Sequence, residues 1–207
     1  MQESWSRNRW FSCSNIIIDS CSVIASSKYG AGIGGSKQHA GSDITINSSS
    51  VTASSTDGAG IGGGGYGGSG SDITINSSSV TASSTDGAGI GGGLYGAGSD
   101  IIINSSSVTA SSTNGAGIGG GEGNSCENIT INSSSVTASS KYGAGIGGGK
   151  RGAGAYKGQS VILTGRQQNS LRLFCFLPVN LSFVVAALLS RCRCGGACPP
   201  TRQYFLF

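Results

Sequence analysis

The sequence predicts an all-β protein built as a parallel β-solenoid, a chain wound into about five stacked rungs of 28–29 residues. Three observations predict this fold: a near-constant internal period, strand-like alternation within each period, and a composition rich in Gly, Ser and β-branched residues. The 207 residues include 38 glycines, and only 11% are charged. Because disorder usually accompanies high charge and few β-branched residues, this composition favours an ordered array.

The period is visible in the segment ITINSSSVTASSTDGAGIGGG, which occurs unchanged at residues 44–64 and 73–93. The isoleucine of its AGIGG element recurs in steps of 28, 29, 28 and 28 residues. Five units at this spacing indicate an array in which each unit stacks on its neighbours. The recurring isoleucines are Ile33, Ile61, Ile90, Ile118 and Ile146.

Two strands and a short third segment are predicted in each unit. DITIN alternates with period two, so Ile44 and Ile46 point inward and Thr45 outward, and SVTAS places Val51 and Ala53 inward in the same way. NSSS and TDG or TNG supply turns, because Asn, Asp and Gly tolerate positive φ. Rungs roughly 4.8 Å apart would align equivalent residues. The inward columns are then Ile44, Ile73, Ile101 and Ile129; Ile46, Ile75, Ile103 and Ile131; Val51, Val80, Val108 and Val136; and Ala53, Ala82, Ala110 and Ala138.

These residues resemble a known family. Residues 15–165 are similar to the right-handed β-helix of the pectate-lyase type, and more closely to the Gly-rich GAGIGGG solenoid repeats of secreted microbial surface proteins. The resemblance implies a right-handed coil located outside the cell or at its surface. It also implies that an asparagine column forms a ladder in which each amide bonds the next rung, with Asp19 in place of Asn in the first rung. The ladder residues are Asn47, Asn76, Asn104 and Asn132.

The outward side of the second strand is the predicted binding face. Its hydroxyl groups would lie roughly 6.7 Å apart along a strand and 4.8 Å apart between rungs. Uncharged T-x-T arrays of this geometry are the hallmark of β-solenoid ice-binding proteins, which the T-x-S array resembles. The two columns are Thr52, Thr81, Thr109 and Thr137, and Ser54, Ser83, Ser111 and Ser139.

The glycine-rich segments predict no nucleotide site, because G-x-G-x-x-G recurs in every rung without a following helix. GGSGSDITI at residues 67–75 is similar to the calcium-binding nonapeptide repeat, but its copies lie a whole rung apart rather than nine residues apart. We therefore expect the acidic column Asp43, Asp72 and Asp100 to bond turn N–H groups. Calcium is the alternative, and no other cofactor or metal is predicted.

An enzyme is not predicted, because catalysis needs convergent ionisable groups and no rung in the middle of the array departs from the pattern. The expected function is a non-enzymatic stalk, spacer or adhesin whose partner is a carbohydrate, a cell-surface molecule or ice. The alternatives are ice binding and a carbohydrate-active lyase or hydrolase. Nucleic acid is not an expected partner, because the basic excess lies in residues 166–207 and leaves the repeats near neutral.

The two ends depart from the repeat. Residues 1–14 are expected to be an N-terminal cap or a truncated start, since they lack the apolar segment of a secretory signal, and Val161 and Leu163 are expected to form a final half-rung. Within the apolar, Cys- and Arg-containing tail of residues 166–207, residues 171–190 are predicted to be a membrane anchor, because a membrane span needs about 20 mostly apolar residues. The alternatives for this tail are a cap packed on the solenoid and residues that are not native to the protein.

Overall fold

The structure is a computed structural model that describes residues 12–154, 160–163 and 171–173. In this part of the chain the fold is an all-β parallel solenoid of about five rungs, as predicted. Each rung contributes one strand to each of three sheets, which we call A, B and C. Neighbouring strands within a sheet therefore come from successive rungs.

Sheets A and B contain the two predicted strands of each unit, and sheet C contains the short AGIGG segment. Sheet A comprises β1 (Ile16–Asp19), β4 (Ile44–Asn47), β7 (Ile73–Asn76), β10 (Gly98–Asn104), β13 (Cys126–Asn132) and β17 (Leu171–Leu173). Sheet B comprises β2 (Ser22–Ser27), β5 (Ser50–Ser55), β8 (Ser79–Ser84), β11 (Ser107–Ser112), β14 (Ser135–Ser140) and β16 (Ser160–Leu163). Sheet C comprises β3 (Ile33–Gly34), β6 (Ile61–Gly62), β9 (Ile90–Gly91), β12 (Ile118–Gly119) and β15 (Ile146–Gly147).

The five rungs pair in parallel and in register. Ile46, for example, lies beside Ile18 on one side and Ile75 on the other. Because side chains alternate across a strand, this register carries each inward residue onto the same residue type in the next rung. All four predicted inward columns are confirmed, with exposed fractions of 0–4%.

The core is thus a continuous bore of isoleucine, valine and alanine side chains. Fully burying one isoleucine or valine side chain stabilises a protein by about 1.5–3 kcal/mol. One rung alone has nothing to bury these side chains against, so the stability of each rung depends on its neighbours.

The chain changes direction at sheet C, and glycines make this change possible. Gly62, Gly91 and Gly119 have φ near +130°, a conformation that side-chain-bearing residues rarely adopt. A Cβ atom at Gly91 would also clash with the carbonyl oxygen of Gly119 in the next rung. The repeated GIGG sequence is therefore explained by close approach of successive rungs rather than by ligand binding.

The asparagine ladder is present, and it runs through the strand ends of sheet A. The Nδ2 atoms of Asn76, Asn104 and Asn132 each donate to the Oδ1 atom of the asparagine one rung below, at 2.9, 2.8 and 2.7 Å. In the first rung, the Asp19 carboxylate instead accepts a hydrogen bond from the Ser20 hydroxyl.

A serine ladder runs beside the asparagine ladder, with each serine two residues after the asparagine of its own rung. Ser78 Oγ donates to the carbonyl oxygen of Asn76 at 2.6 Å and accepts the N–H of Ser49 at 3.1 Å. Ser106 repeats these bonds in the next rung. Both serines are about 95% buried, so the hydroxyl groups satisfy backbone groups that water cannot reach.

A second serine ladder is formed by the last residues of the sheet B strands. Ser84 Oγ donates to the carbonyl oxygen of Gly58 at 2.6 Å, and Ser112 Oγ does the same to Gly87 at 2.7 Å. The serine-rich segments are therefore not uniform turns, because each serine has a fixed bonding role set by its place in the rung.

The last described strands close the upper end of the stack. β16 lies on β14 at the expected place of the half-rung, but it runs antiparallel to β14, so the chain reverses there rather than coiling onward. β17, which begins the predicted apolar segment 171–190, pairs antiparallel with β13. The rest of that segment and residues 1–11 lie outside the described residues, and no helix within the described part is long and apolar enough to cross a membrane.

Two adjacent isoleucines of β10 test the position of the core. Ile103 is 0% exposed, whereas Ile102 points outward and is 37% exposed. We expect Ile103→Ala to lower the free energy of unfolding by about 2–5 kcal/mol because it leaves a cavity. Ile102→Ala should lower it by less than about 1 kcal/mol. Urea denaturation measures both, and equal losses would contradict the assignment of the bore.

A double-mutant cycle tests the asparagine ladder. Asn76→Ala and Asn104→Ala should each cost about 1–3 kcal/mol of unfolding free energy, because each leaves a partner amide unpaired. The double variant should deviate from additivity by about 0.5–3 kcal/mol, as contacting residues do. The control pair Asn47→Ala and Asn132→Ala, which lie three rungs apart, should be close to additive. Additive losses for Asn76 and Asn104 would contradict a direct bond.

Candidate functional site

The predicted binding residues lie together on the outward side of sheet B. Thr52, Thr81, Thr109 and Thr137 are Cα partners in consecutive strands, and so are Ser54, Ser83, Ser111 and Ser139. Thr52, Thr81 and Thr109 are exposed, whereas Thr137 and the four serines are half-buried. The threonine column is therefore the more accessible of the two.

A third hydroxyl column, which the sequence reasoning missed, lies at the start of the same strands. Ser50, Ser79, Ser107 and Ser135 are exposed and in register. The sequence predicts NSSS as a turn, but its last serine is also the first residue of SVTAS and belongs to the strand. The strict alternation of SVTAS with the preceding serine is the signal that could have revealed it. We call these three columns the hydroxyl face.

The hydroxyl face is small and uncharged. Three hydroxyl groups per strand span roughly 13 Å, and four rungs span roughly 14 Å. The column that contains the threonines is bounded by an exposed isoleucine at each end, Ile24 in β2 and Ile162 in β16, with exposed fractions of 85% and 62%. An extended, ordered surface fits this geometry better than a small molecule, which usually requires a concave site.

The acidic column has a structural explanation. Asp43, Asp72 and Asp100 have φ between 52° and 53°, a left-handed conformation that Asp and Asn tolerate better than most residues. Asn128 occupies the same position in the next rung, and its Nδ2 atom donates to Asp100 Oδ1 at 3.0 Å. Asp43 accepts a hydrogen bond from the neighbouring Ser42 hydroxyl at 3.2 Å, rather than from a turn N–H.

These carboxylates lie on successive rungs and are exposed to solvent. Within residues 12–154, 160–163 and 171–173, no three or more His, Cys, Asp or Glu side chains are grouped so that they could hold a metal ion. Calcium at Asp43, Asp72 and Asp100 remains the alternative to a purely structural role.

A second surface, which the sequence reasoning did not single out, runs along the turns between sheets B and C and after sheet C. The repeats differ most here, because Lys-Tyr replaces Thr-Asp at residues 28–29 and 141–142, and tyrosine appears after the GGG segments of two rungs. We call this surface the tyrosine edge. It contains Tyr29, Tyr66, Tyr95 and Tyr142. Aligning the rungs and asking where they differ is the signal that could have found it.

The comparisons with known proteins bear on the repeat itself. A family model described as a beta helix repeat matches five segments, which together make up more than half of the chain: residues 16–37, 44–65, 73–94, 101–122 and 129–150. Neither the curated proteins nor the solved structures gave a match. Parallel strands of one sheet that are joined through other elements are connected with a right-handed crossover in nearly all proteins, and successive strands of sheets A, B and C are joined in this way. The chain therefore belongs to the beta helix repeat family, as a right-handed parallel β-helix.

Proposed function

We propose that this chain is a non-catalytic β-helix module that serves as a stalk, spacer or adhesin, with the hydroxyl face as its contact surface. The observation that carries the proposal is the register of that face. Four successive rungs present the same Ser-Thr-Ser hydroxyl groups without a charged side chain.

The distribution of ionisable groups supports a non-catalytic role. Enzymes bring acids, bases and nucleophiles together in one pocket. Here Asp43, Asp72 and Asp100 are exposed at equivalent turns of three successive rungs rather than gathered in one pocket. The hydroxyl face, by contrast, repeats the same weak contact in each rung, which suits binding to an extended partner.

Ice binding is the second candidate, and the exposed threonine column favours it. Thr52, Thr81 and Thr109 repeat at the rung spacing of roughly 4.8 Å on a strand surface held rigid by its neighbours. The half-buried serines beside them lack the methyl group that a threonine would add to such a face. This difference makes a general polar contact surface the better-supported proposal.

An extracellular or cell-surface location is part of the proposal. It is supported by the resemblance of the GAGIGGG repeats to those of secreted microbial surface proteins.

Sedimentation of the full chain with insoluble cellulose, chitin or collagen particles tests the contact surface. We expect the wild-type chain to sediment with at least one of these particles. The variant Thr52→Lys with Thr81→Lys should bind about tenfold more weakly, a loss of about 1.4 kcal/mol, because two long cations disrupt the hydroxyl face. The control Thr45→Lys with Thr74→Lys places the same charges in the same two rungs on sheet A and should bind like the wild type.

Equal retention of the two lysine variants would contradict the proposed contact surface. The same three proteins also separate the alternatives. Thermal hysteresis that is present in the wild type and lost only in the Thr52/Thr81 variant would favour ice binding over the stalk or adhesin. Release of reducing sugars or unsaturated products from pectin-like polymers would contradict a non-catalytic role.

A further inference from the structure

The tyrosine edge concentrates side chains that the rest of the repeat lacks. All four tyrosines and all five lysine or arginine residues between positions 12 and 154 lie on its two rows of turns. Elsewhere the rungs present mainly Ser, Thr, Asn and Gly. The basic residues are Lys28, Lys37, Lys141, Lys150 and Arg151.

Backbone hydrogen bonds join the two rows of turns into one continuous surface. Leu94 N–H donates to the carbonyl oxygen of Asp57 at 2.8 Å, and Glu122 N–H donates to that of Asp86 at 2.9 Å. Each bond connects the turn after sheet C in one rung to the turn after sheet B in the rung below. The edge therefore runs parallel to the solenoid axis and repeats at the rung spacing.

Tyr66 and Tyr95 occupy equivalent positions in consecutive rungs and have an unfavourable backbone conformation. Their φ angles are 64° and 61°, in the left-handed region that bulky residues seldom adopt. The next rung has Gly123 at this position, with φ of 85°. Because glycine fits there without strain, the two tyrosines are not required by the fold.

Both rings are held in place and accessible. Tyr66 is 44% exposed and Tyr95 is 56% exposed. A Cβ atom at Gly123 would lie 3.1 Å from Tyr95 Cδ1, so the Tyr95 ring lies across the backbone of the next rung. The charge of the Asp57 carboxylate, together with burial and a hydrogen bond from the phenol to that carboxylate, raises the pKa of Tyr66.

The charges beside the rings are mixed rather than uniformly basic. Lys37 Nζ lies 5.2 Å from the Tyr29 ring centroid and 4.9 Å from that of Tyr66. At the upper end, Glu122 pairs with Lys150 at 3.6 Å and with Arg151 at 3.5 Å. The carboxylates of buried Asp57 and half-buried Asp86 lie between these ends. Their negative charge disfavours a polyanion in the middle of the edge, whereas an uncharged, hydroxyl-rich ligand is not repelled there.

We propose that the tyrosine edge binds an uncharged linear polysaccharide running parallel to the solenoid axis. The faces of aromatic rings carry partial negative charge, and the C–H groups on the face of a sugar ring carry partial positive charge, so the two stack. Successive sugars lie on Tyr66 and Tyr95, one rung apart, and the flanking Lys37 ammonium donates to their hydroxyls. This site is distinct from the hydroxyl face, and either proposal can fail without the other.

Native affinity electrophoresis of the full chain tests the site, in gels that contain hydroxyethylcellulose, glucomannan or laminarin. We expect at least one polymer to retard the wild type. Tyr66→Gly with Tyr95→Gly should abolish the retardation and keep the wild-type fold, since the relief of backbone strain offsets the lost hydrogen bond from the Tyr66 phenol to Asp57. Tyr66→Phe with Tyr95→Phe should remain retarded because it keeps the ring faces, and the control Thr45→Lys with Thr74→Lys should be retarded like the wild type.

The outcomes that would overturn this proposal are distinct. The first is that none of the three polymers retards the wild type. The second is that the double-glycine variant is retarded as strongly as the wild type. The third is that only a gel containing heparin retards the wild type, which would assign binding to the basic groups alone. Loss of retardation in the Thr52→Lys, Thr81→Lys variant with retention in the double-glycine variant would assign the polymer to the hydroxyl face. Failure of the double-glycine variant to give the wild-type circular dichroism spectrum would also count against it, because it would make the tyrosines structural.

Discussion

The parallel register between rungs is the constraint on which the rest of the structure depends. Because the period is close to constant, each strand lies beside its own copy, and the inward side chains of sheets A and B meet the same residue type in the neighbouring rungs. Isoleucine columns then fill the bore, and asparagines bond asparagines. A shift of one residue would turn the apolar side chains of that strand outward. The near-identity of the rungs is therefore a requirement of the stack.

The polar residues are as important to this arrangement as the apolar ones. A solenoid of short strands has many turns, and each turn places backbone N–H and C=O groups near the interior. The buried Ser78 and Ser106 hydroxyls satisfy these groups between rungs, and the asparagine amides bond along the axis beside them. This explains how a chain with so much serine and glycine forms an ordered core instead of remaining disordered.

The strands and inward columns could be predicted because they depend only on period and alternation. The serine ladders could not, since three consecutive serines look alike in sequence and differ only in the direction that the turn gives each one. The reversal at β16 also escaped prediction, because Val161 and Leu163 alternate in the same way in a parallel or an antiparallel strand. The hydroxyl face was found in two of its three columns. The tyrosine edge was missed because its residues are separated in sequence and are brought together by hydrogen bonds between turns of neighbouring rungs.

The stacking of five rungs in register is tested most directly by a distance measured along the stack. Ile24 and Ile162 are exposed and lie at opposite ends of one column of sheet B. Spin labels introduced at these two positions through an unnatural amino acid would leave the native cysteines unlabelled. Electron–electron distance measurement should give a narrow distribution near 24 Å, since five steps of about 4.8 Å separate the positions. A broad distribution centred at about 60–70 Å, the separation of a flexible chain of that length, would contradict the stacked solenoid.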